Sequence, residues 1–124
     1  NQSDRTKALV ICSAGLLRSP TVAWLLGKEP FNMNTRAAGS SKTFALIHAD
    51  EVLLYWADMI IFVNQENFDE TKSQFPEALD DKTFVVLDLP DNYSAFDQAL
   101  IDIASKQIDD AFAQINQELE SRKL

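Results

Sequence analysis

The residues of this chain whose types and spacing could do chemistry are one cysteine and an arginine six positions later. Cys12 is the only cysteine among 124 residues; it closes the apolar run Leu9-Val10-Ile11 and is followed by Ser13-Ala14-Gly15-Leu16-Leu17-Arg18-Ser19-Pro20. Five residues between a Cys and an Arg let the backbone curl into a cup, with successive N–H groups turned inward and the dipole of a following helix aimed at the same point. Such a cup suits a tetrahedral oxyanion. Arg18 would close it with a planar fork of donors that matches two phosphate oxygens at once. The field that attracts an anion also favours a thiolate, so a site built to hold phosphate prepares a nucleophile as well.

A lone cysteine after Leu-Val-Ile would by itself read as an inert core thiol, because unpaired Cys is among the most buried residue types. What changes that reading is the strand pattern before the loop and the helix start after it, the context that a motif of this kind requires. Gly15 can supply a left-handed backbone turn inside the loop without steric cost. Ser13, Ala14, Gly15, Leu16, Leu17, Arg18 and Ser19 are therefore the candidate phosphate-binding residues.

The elements that must position this loop follow from periodicity. Lys7 to Ile11 reads as a buried strand and Pro20 to Leu26 as a helix stopped by Gly27 and Pro30. Thr35 to Ala38 reads as a short strand. Ala45 to Ala57 has helical spacing, with Leu46, Ile47, Val52, Leu53 and Trp56 on one broad face, and His48, the only histidine, within it. Met59 to Val63 is an apolar run of strand length, Gln65 to Gln74 a helix halted by Pro76, and Thr83 to Leu87 a fourth strand. Phe96, Leu100, Ile101, Ala104, Ile108, Phe112, Ile115 and Leu119 recur at helical spacing to the C-terminus. Trp24 and Trp56 are expected to pack helices onto the sheet. Strands alternating with helices predict an α/β fold: one three-layer domain over residues 1–124, with a four-stranded parallel sheet flanked by helices on both faces. The Cys12 loop then falls at the C-terminal edge of the sheet, where ligands of open α/β sheets gather.

At these residues the chain resembles the low-molecular-weight protein tyrosine phosphatases. The C-x5-R-S signature with Pro20 after it is similar to that family's loop; Arg36-Ala37-Ala38-Gly39-Ser40-Ser41 resembles its second-strand segment and Trp56-Ala57-Asp58-Met59-Ile60-Ile61-Phe62-Val63 its third. Val85-Val86-Leu87-Asp88-Leu89-Pro90-Asp91-Asn92-Tyr93 stands where the family has a strand and an acidic loop. The Leu-Asp-x-Pro-Asp-x-Tyr wording is most similar to a bacterial and phage branch of predicted tyrosine phosphatases.

The resemblance implies a two-step phosphomonoester hydrolysis that needs no metal or other cofactor. Cys12 would attack phosphorus while an aspartic acid protonates the departing oxygen, and water would then release the cysteinyl-phosphate with help from the same carboxylate. Arg18 and the loop amides would hold the equatorial oxygens, and Ser19 could cap the helix, stabilise the thiolate, or do both. Two residues compete as the acid: position at the strand end favours Asp88, to which the balance leans slightly, whereas the family's wording favours Asp91. Tyr93 could line the cleft and stack on an aryl phosphate. The family often carries a second loop cysteine that captures an oxidised nucleophile; this chain has Leu17, so oxidised Cys12 would have no internal partner, and arsenate reduction, which needs further thiols, is disfavoured.

Composition sets the outer bounds. Eleven Lys and Arg against 19 Asp and Glu give a net charge of -8, which disfavours nucleic acid and anionic membranes as partners. A positive anion cup on an acidic body would steer highly acidic phosphopeptides poorly, so the expected partner is a phosphorylated protein or a small aryl phosphate. With no apolar run near 18 residues and no possible internal disulfide, a cytoplasmic protein is expected. Two other readings compete with the phosphatase: a cysteine phosphocarrier of the sugar phosphotransferase IIB type, disfavoured because Arg18 would promote hydrolysis of the phosphocysteine it must preserve, and a phosphate-binding module without catalysis.

Overall fold

Alternation along the first strand splits the core in two. β1 (Lys7–Cys12) sends Ala8, Val10 and Cys12 to one face of the sheet and Leu9 and Ile11 to the other, as the two-residue repeat of a strand requires. The computed structural model describes residues 5–13, 18–41, 47–90, 92–94 and 96–123, with side chains as far as residue 117. Three further strands, β2 (Asn34–Gly39), β3 (Met59–Phe62) and β4 (Thr83–Val86), complete an all-parallel sheet in the order β2-β1-β3-β4. Helices α1 (Arg18–Gly27) and α4 (Gln98–Lys123) cover the Cys12 face through Val22, Leu26, Leu100, Ala104 and Ile108. Helices α2 (Glu51–Trp56) and α3 (Gln65–Gln74), with a short 3-10 turn at Pro76–Leu79, cover the other through Leu54, Ala57, Ala78 and Leu79. The expected three-layer α/β architecture is the observed one.

α3 has the predicted ends, because Asn64 opens it and Pro76 forbids its continuation. The helix expected over residues 45–57 is much shorter. Among its described residues, 47–49 run beside the end of β2 instead: Gly39 N–H donates to the Ile47 carbonyl and Ala49 N–H to the Gly39 carbonyl, each at 2.9 Å, with a parallel bridge between Gly39 and His48. Asp50 then starts α2 by accepting the Leu53 N–H on Oδ1 at 3.0 Å. This late start rotates the buried face. Leu54 is fully buried, whereas Val52 is 77% and Ile47 59% exposed; Leu46 lies outside the described residues.

Two aromatic assignments also change. Trp24 is 46% exposed, with the Lys28 ammonium 4.1 Å from its ring centroid and the Phe96 ring centroid 5.8 Å away in a T-shaped arrangement, so it covers the outside of α1 rather than packing it onto the sheet. Phe96 precedes α4 at a positive φ of 62°, and α4 begins only after Asp97, whose Oδ1 accepts the Ala99 N–H at 2.9 Å. Trp56 is half-buried against the α2 side of the core and lies under the Arg36 guanidinium at 4.9 Å.

Beyond β4 the chain stays paired to β3 through Leu87 N–H to Phe62 O and Leu89 N–H to Val63 O. Asp88 between them directs its main chain to the outer edge. There Gln107 of α4 receives it: Asp88 N–H donates to Gln107 Oε1 at 2.7 Å, and Gln107 Nε2 donates to the Asp88 carbonyl at 2.9 Å.

Candidate active site

Cys12 is the last residue of β1 and 3% exposed. Its Sγ lies 3.1 Å from Ser19 Oγ, which also approaches the Ala38 carbonyl at 3.5 Å. Ser19 is fully buried and sits inside the first turn of α1, because the helix starts at Arg18, two residues earlier than Pro20 would suggest. Its hydroxyl is therefore not an N-cap. It has one proton and two acceptors within reach, so its direction depends on the sulfur. A thiolate can only accept, so beside a thiolate the serine proton turns to sulfur.

Arg18 opens α1 and points its Nη1 at the Leu89 carbonyl, 3.0 Å away. This bond ties the start of α1 to the segment after β4. A guanidinium carries five N–H donors in one plane, so holding a carbonyl with one leaves the fork able to grip an anion with others. A second tie joins the same regions: Phe96 N–H donates to Thr21 Oγ1 at 3.0 Å.

Ser13, half-buried, continues β1 in extended pairing with the chain after β2. Ser40 N–H donates to the Cys12 carbonyl at 2.7 Å and Ser41 N–H to the Ser13 carbonyl at 3.0 Å. The Ser13 hydroxyl accepts a hydrogen bond from Asn67 Nδ2 of α3 at 3.1 Å. Ala14, Gly15, Leu16 and Leu17, expected to line the cup, lie outside the described residues, as does Asp91. Asp88 is exposed, with its main chain held at the sheet edge by Gln107; Leu87 and Leu89 on either side of it belong to the core cluster that contains Cys12. Tyr93 is half-buried and packs against that same cluster. The sequence-predicted residues thus meet in two groups: Cys12 with Ser19 at the base of α1, and Arg18 with the main chain leading out of β4.

Sequence reasoning missed the polar residues around Ser13 and Ser40. Asn67 Nδ2 also donates to Ser40 Oγ at 3.2 Å, Ser40 Oγ donates to Glu70 Oε1 at 2.5 Å, and Gln74 Nε2 donates to the Ser40 carbonyl at 2.7 Å. His48 belongs to this group, with its Nε2 2.7 Å from Gln74 Oε1. Among the described residues no group of three His, Cys, Asp or Glu side chains is placed to hold a metal ion, and no helix is long and apolar enough to cross a membrane.

No protein-family model matches the chain, and no curated protein matches it in sequence. Solved structures superpose on it in fold. Vibrio vulnificus Wzb, determined in complex with benzylphosphonate, superposes with a TM-score of 0.64 at 20% identity, covering 92% of this chain and 99% of that one. The chain has the fold of Wzb. The YwlE arginine phosphatase from Geobacillus stearothermophilus superposes equally well, with a TM-score of 0.64 at 17% identity and 95% of each chain covered. The three-layer arrangement expected from the alternation of strands and helices is therefore one that an arginine phosphatase and a benzylphosphonate-binding protein also adopt.

Proposed function

We propose that this chain hydrolyses phosphomonoesters through a cysteinyl-phosphate on Cys12. The observation that carries the reading is the 3.1 Å contact between Cys12 Sγ and Ser19 Oγ at the junction of β1 and α1, one residue from Arg18. A buried hydroxyl beside a thiol can donate to the thiolate both before attack and when sulfur leaves. The fold shared with an arginine phosphatase adds weight to a phosphoryl-transfer reaction.

In the first step the Cys12 thiolate attacks phosphorus, the bond from phosphorus to the leaving oxygen breaks, and an aspartic acid gives that oxygen its proton. In the second, water attacks phosphorus, gives a proton to the same carboxylate, and the S–P bond breaks to return the thiolate and inorganic phosphate. Arg18 and the amides of residues 13–18 hold the equatorial oxygens, where transition-state charge accumulates. For the acid we favour Asp91. Asp88 has the opposite strand parity to Leu87 and Leu89, which pack with Cys12, and Gln107 pins its main chain at the outer edge.

The substrate class is an aryl phosphate, phosphotyrosine first. Supporting it are the half-buried Tyr93 beside the Cys12 cluster and the aromatic phosphonate bound by Wzb. The test is turnover of p-nitrophenyl phosphate without added metal, followed by phosphotyrosine and phosphoarginine peptides side by side. Faster release of phosphate from phosphoarginine would replace the aryl class. A stable phosphorylated Cys12 without turnover would move the reading to a phosphocarrier.

A further inference from the structure

We infer that Asn67 is a positioning residue for the anion loop, acting through Ser13; the inference rests on the phosphoryl-transfer reading of that loop. Asn67 is fully buried, yet it lies in the first turn of a helix whose mean character is polar, and its amide is completely engaged. Oδ1 accepts the Asn64 N–H at 3.3 Å, while Nδ2 donates to Ser13 Oγ at 3.1 Å and to Ser40 Oγ at 3.2 Å. One side chain thus bridges the ends of two adjacent strands, just where Ser40 and Ser41 amides hold the Cys12 and Ser13 carbonyls.

The direction of the chain is fixed from its far end. A carboxylate only accepts, so Glu70 takes the Ser40 proton, and Ser40 oxygen can accept from Asn67. The other Asn67 N–H goes to Ser13, whose oxygen is used as an acceptor and whose own O–H is not spent on Asn67. Buried polar chains of this kind hold their members in one geometry, because breaking any link leaves a desolvated group unpaired. Here the member held is the residue that leads from the nucleophile into the loop. A displacement of about 1 Å there is enough to cost on the order of a hundredfold in rate.

The experiment compares the wild type with Ser13→Ala, Asn67→Ala, the double variant and Asn67→Asp. Each is measured for kcat and KM on p-nitrophenyl phosphate, for affinity to inorganic phosphate by calorimetry, and for melting temperature. Ser13→Ala and Asn67→Ala are expected to lower kcat by about ten- to a hundredfold and to weaken phosphate binding, with the double variant no worse than the single ones. Asn67→Asp keeps the acceptor for Asn64 N–H but offers no N–H to Ser13 and buries a carboxylate near Glu70; it should lose activity and phosphate affinity and melt below the wild type. Should the Asn67 variants fail to fold, Ser13→Ala, at a half-buried position, decides. Values within twofold of wild type, or an Asn67→Ala effect undiminished in the Ser13→Ala background, would overturn the inference. A wild type that binds phosphate in an Asn67-dependent way without turnover would sink the catalytic reading and leave the positioning role standing.

Discussion

Replacing Ser19 by Ala removes one hydroxyl from the buried side of Cys12 and leaves a void smaller than a methyl group, so the fold should tolerate it. The hydroxyl is 3.1 Å from sulfur and fully buried. A hydrogen bond to a charged group in such a place stabilises it by about 1.5–3 kcal/mol, so on the acid side the thiolate share should fall by about ten- to a hundredfold. The remaining thiolate, more basic, is also more reactive: with a Brønsted slope of about 0.45 its intrinsic rate against a disulfide rises about three- to eightfold. The two effects oppose each other, and their balance depends on pH. Reaction with 4,4′-dithiodipyridine, followed from pH 4 to 10, should therefore be about 3- to 15-fold slower in Ser19→Ala on the acid limb and about three- to eightfold faster on the alkaline plateau. The two profiles must cross. Because Cys12 is the only cysteine, the signal has no background from other thiols. Superimposed profiles would mean that Ser19 does not donate to the sulfur, and a uniform slowing at every pH would mean that the substitution blocks access instead.

Three further outcomes are expected. Cys12→Ser should abolish turnover of p-nitrophenyl phosphate while retaining inorganic phosphate binding; full activity in that variant would remove the nucleophile. Asp91→Asn should lower kcat by about 10²- to 10⁴-fold and flatten the alkaline fall of its pH profile, whereas Asp88→Asn should stay within a few-fold of wild type, the reverse result restoring Asp88 as the acid. In the core, Leu54→Ala should cost about 2–5 kcal/mol of unfolding free energy and Val52→Ala less than about 0.5, measured by urea denaturation; equal effects would contradict the orientation of α2.

The strands and the Cys12-to-Arg18 spacing were legible because each is a local signal: β1 is an unbroken apolar run, and the loop motif spans seven consecutive residues. α3 was legible for the same reason, having its stop written in Pro76. α2 was not. Residues 47–49 carry a helical pattern, yet their main chain pairs with Gly39, a partner distant in sequence, and that pairing overrides local propensity. Trp24 misled because size suggests burial, whereas Lys28 and Phe96 shelter its ring from outside. Asn67 gave no local signal at all. Its partners Ser13 and Ser40 lie 54 and 27 residues away, and a polar residue in a polar helix looks solvated until the sheet brings those hydroxyls beneath it.

The paired bonds between Gln107 and the main chain of Asp88 also bear on how this molecule meets others of its kind. A side-chain amide has the donor and acceptor of a peptide unit, and here it occupies the place that a fifth strand would take next to the candidate site. Sheet growth is thereby blocked at that end, which matters in a protein whose last strand is an edge with an exposed Phe84. Strand-to-strand association on this edge of the sheet would have to begin at Thr83–Val86, away from Asp88. Losing the Gln107 amide would leave α4 in place but expose a longer templating edge, so its effect should show in solubility before it shows in catalysis.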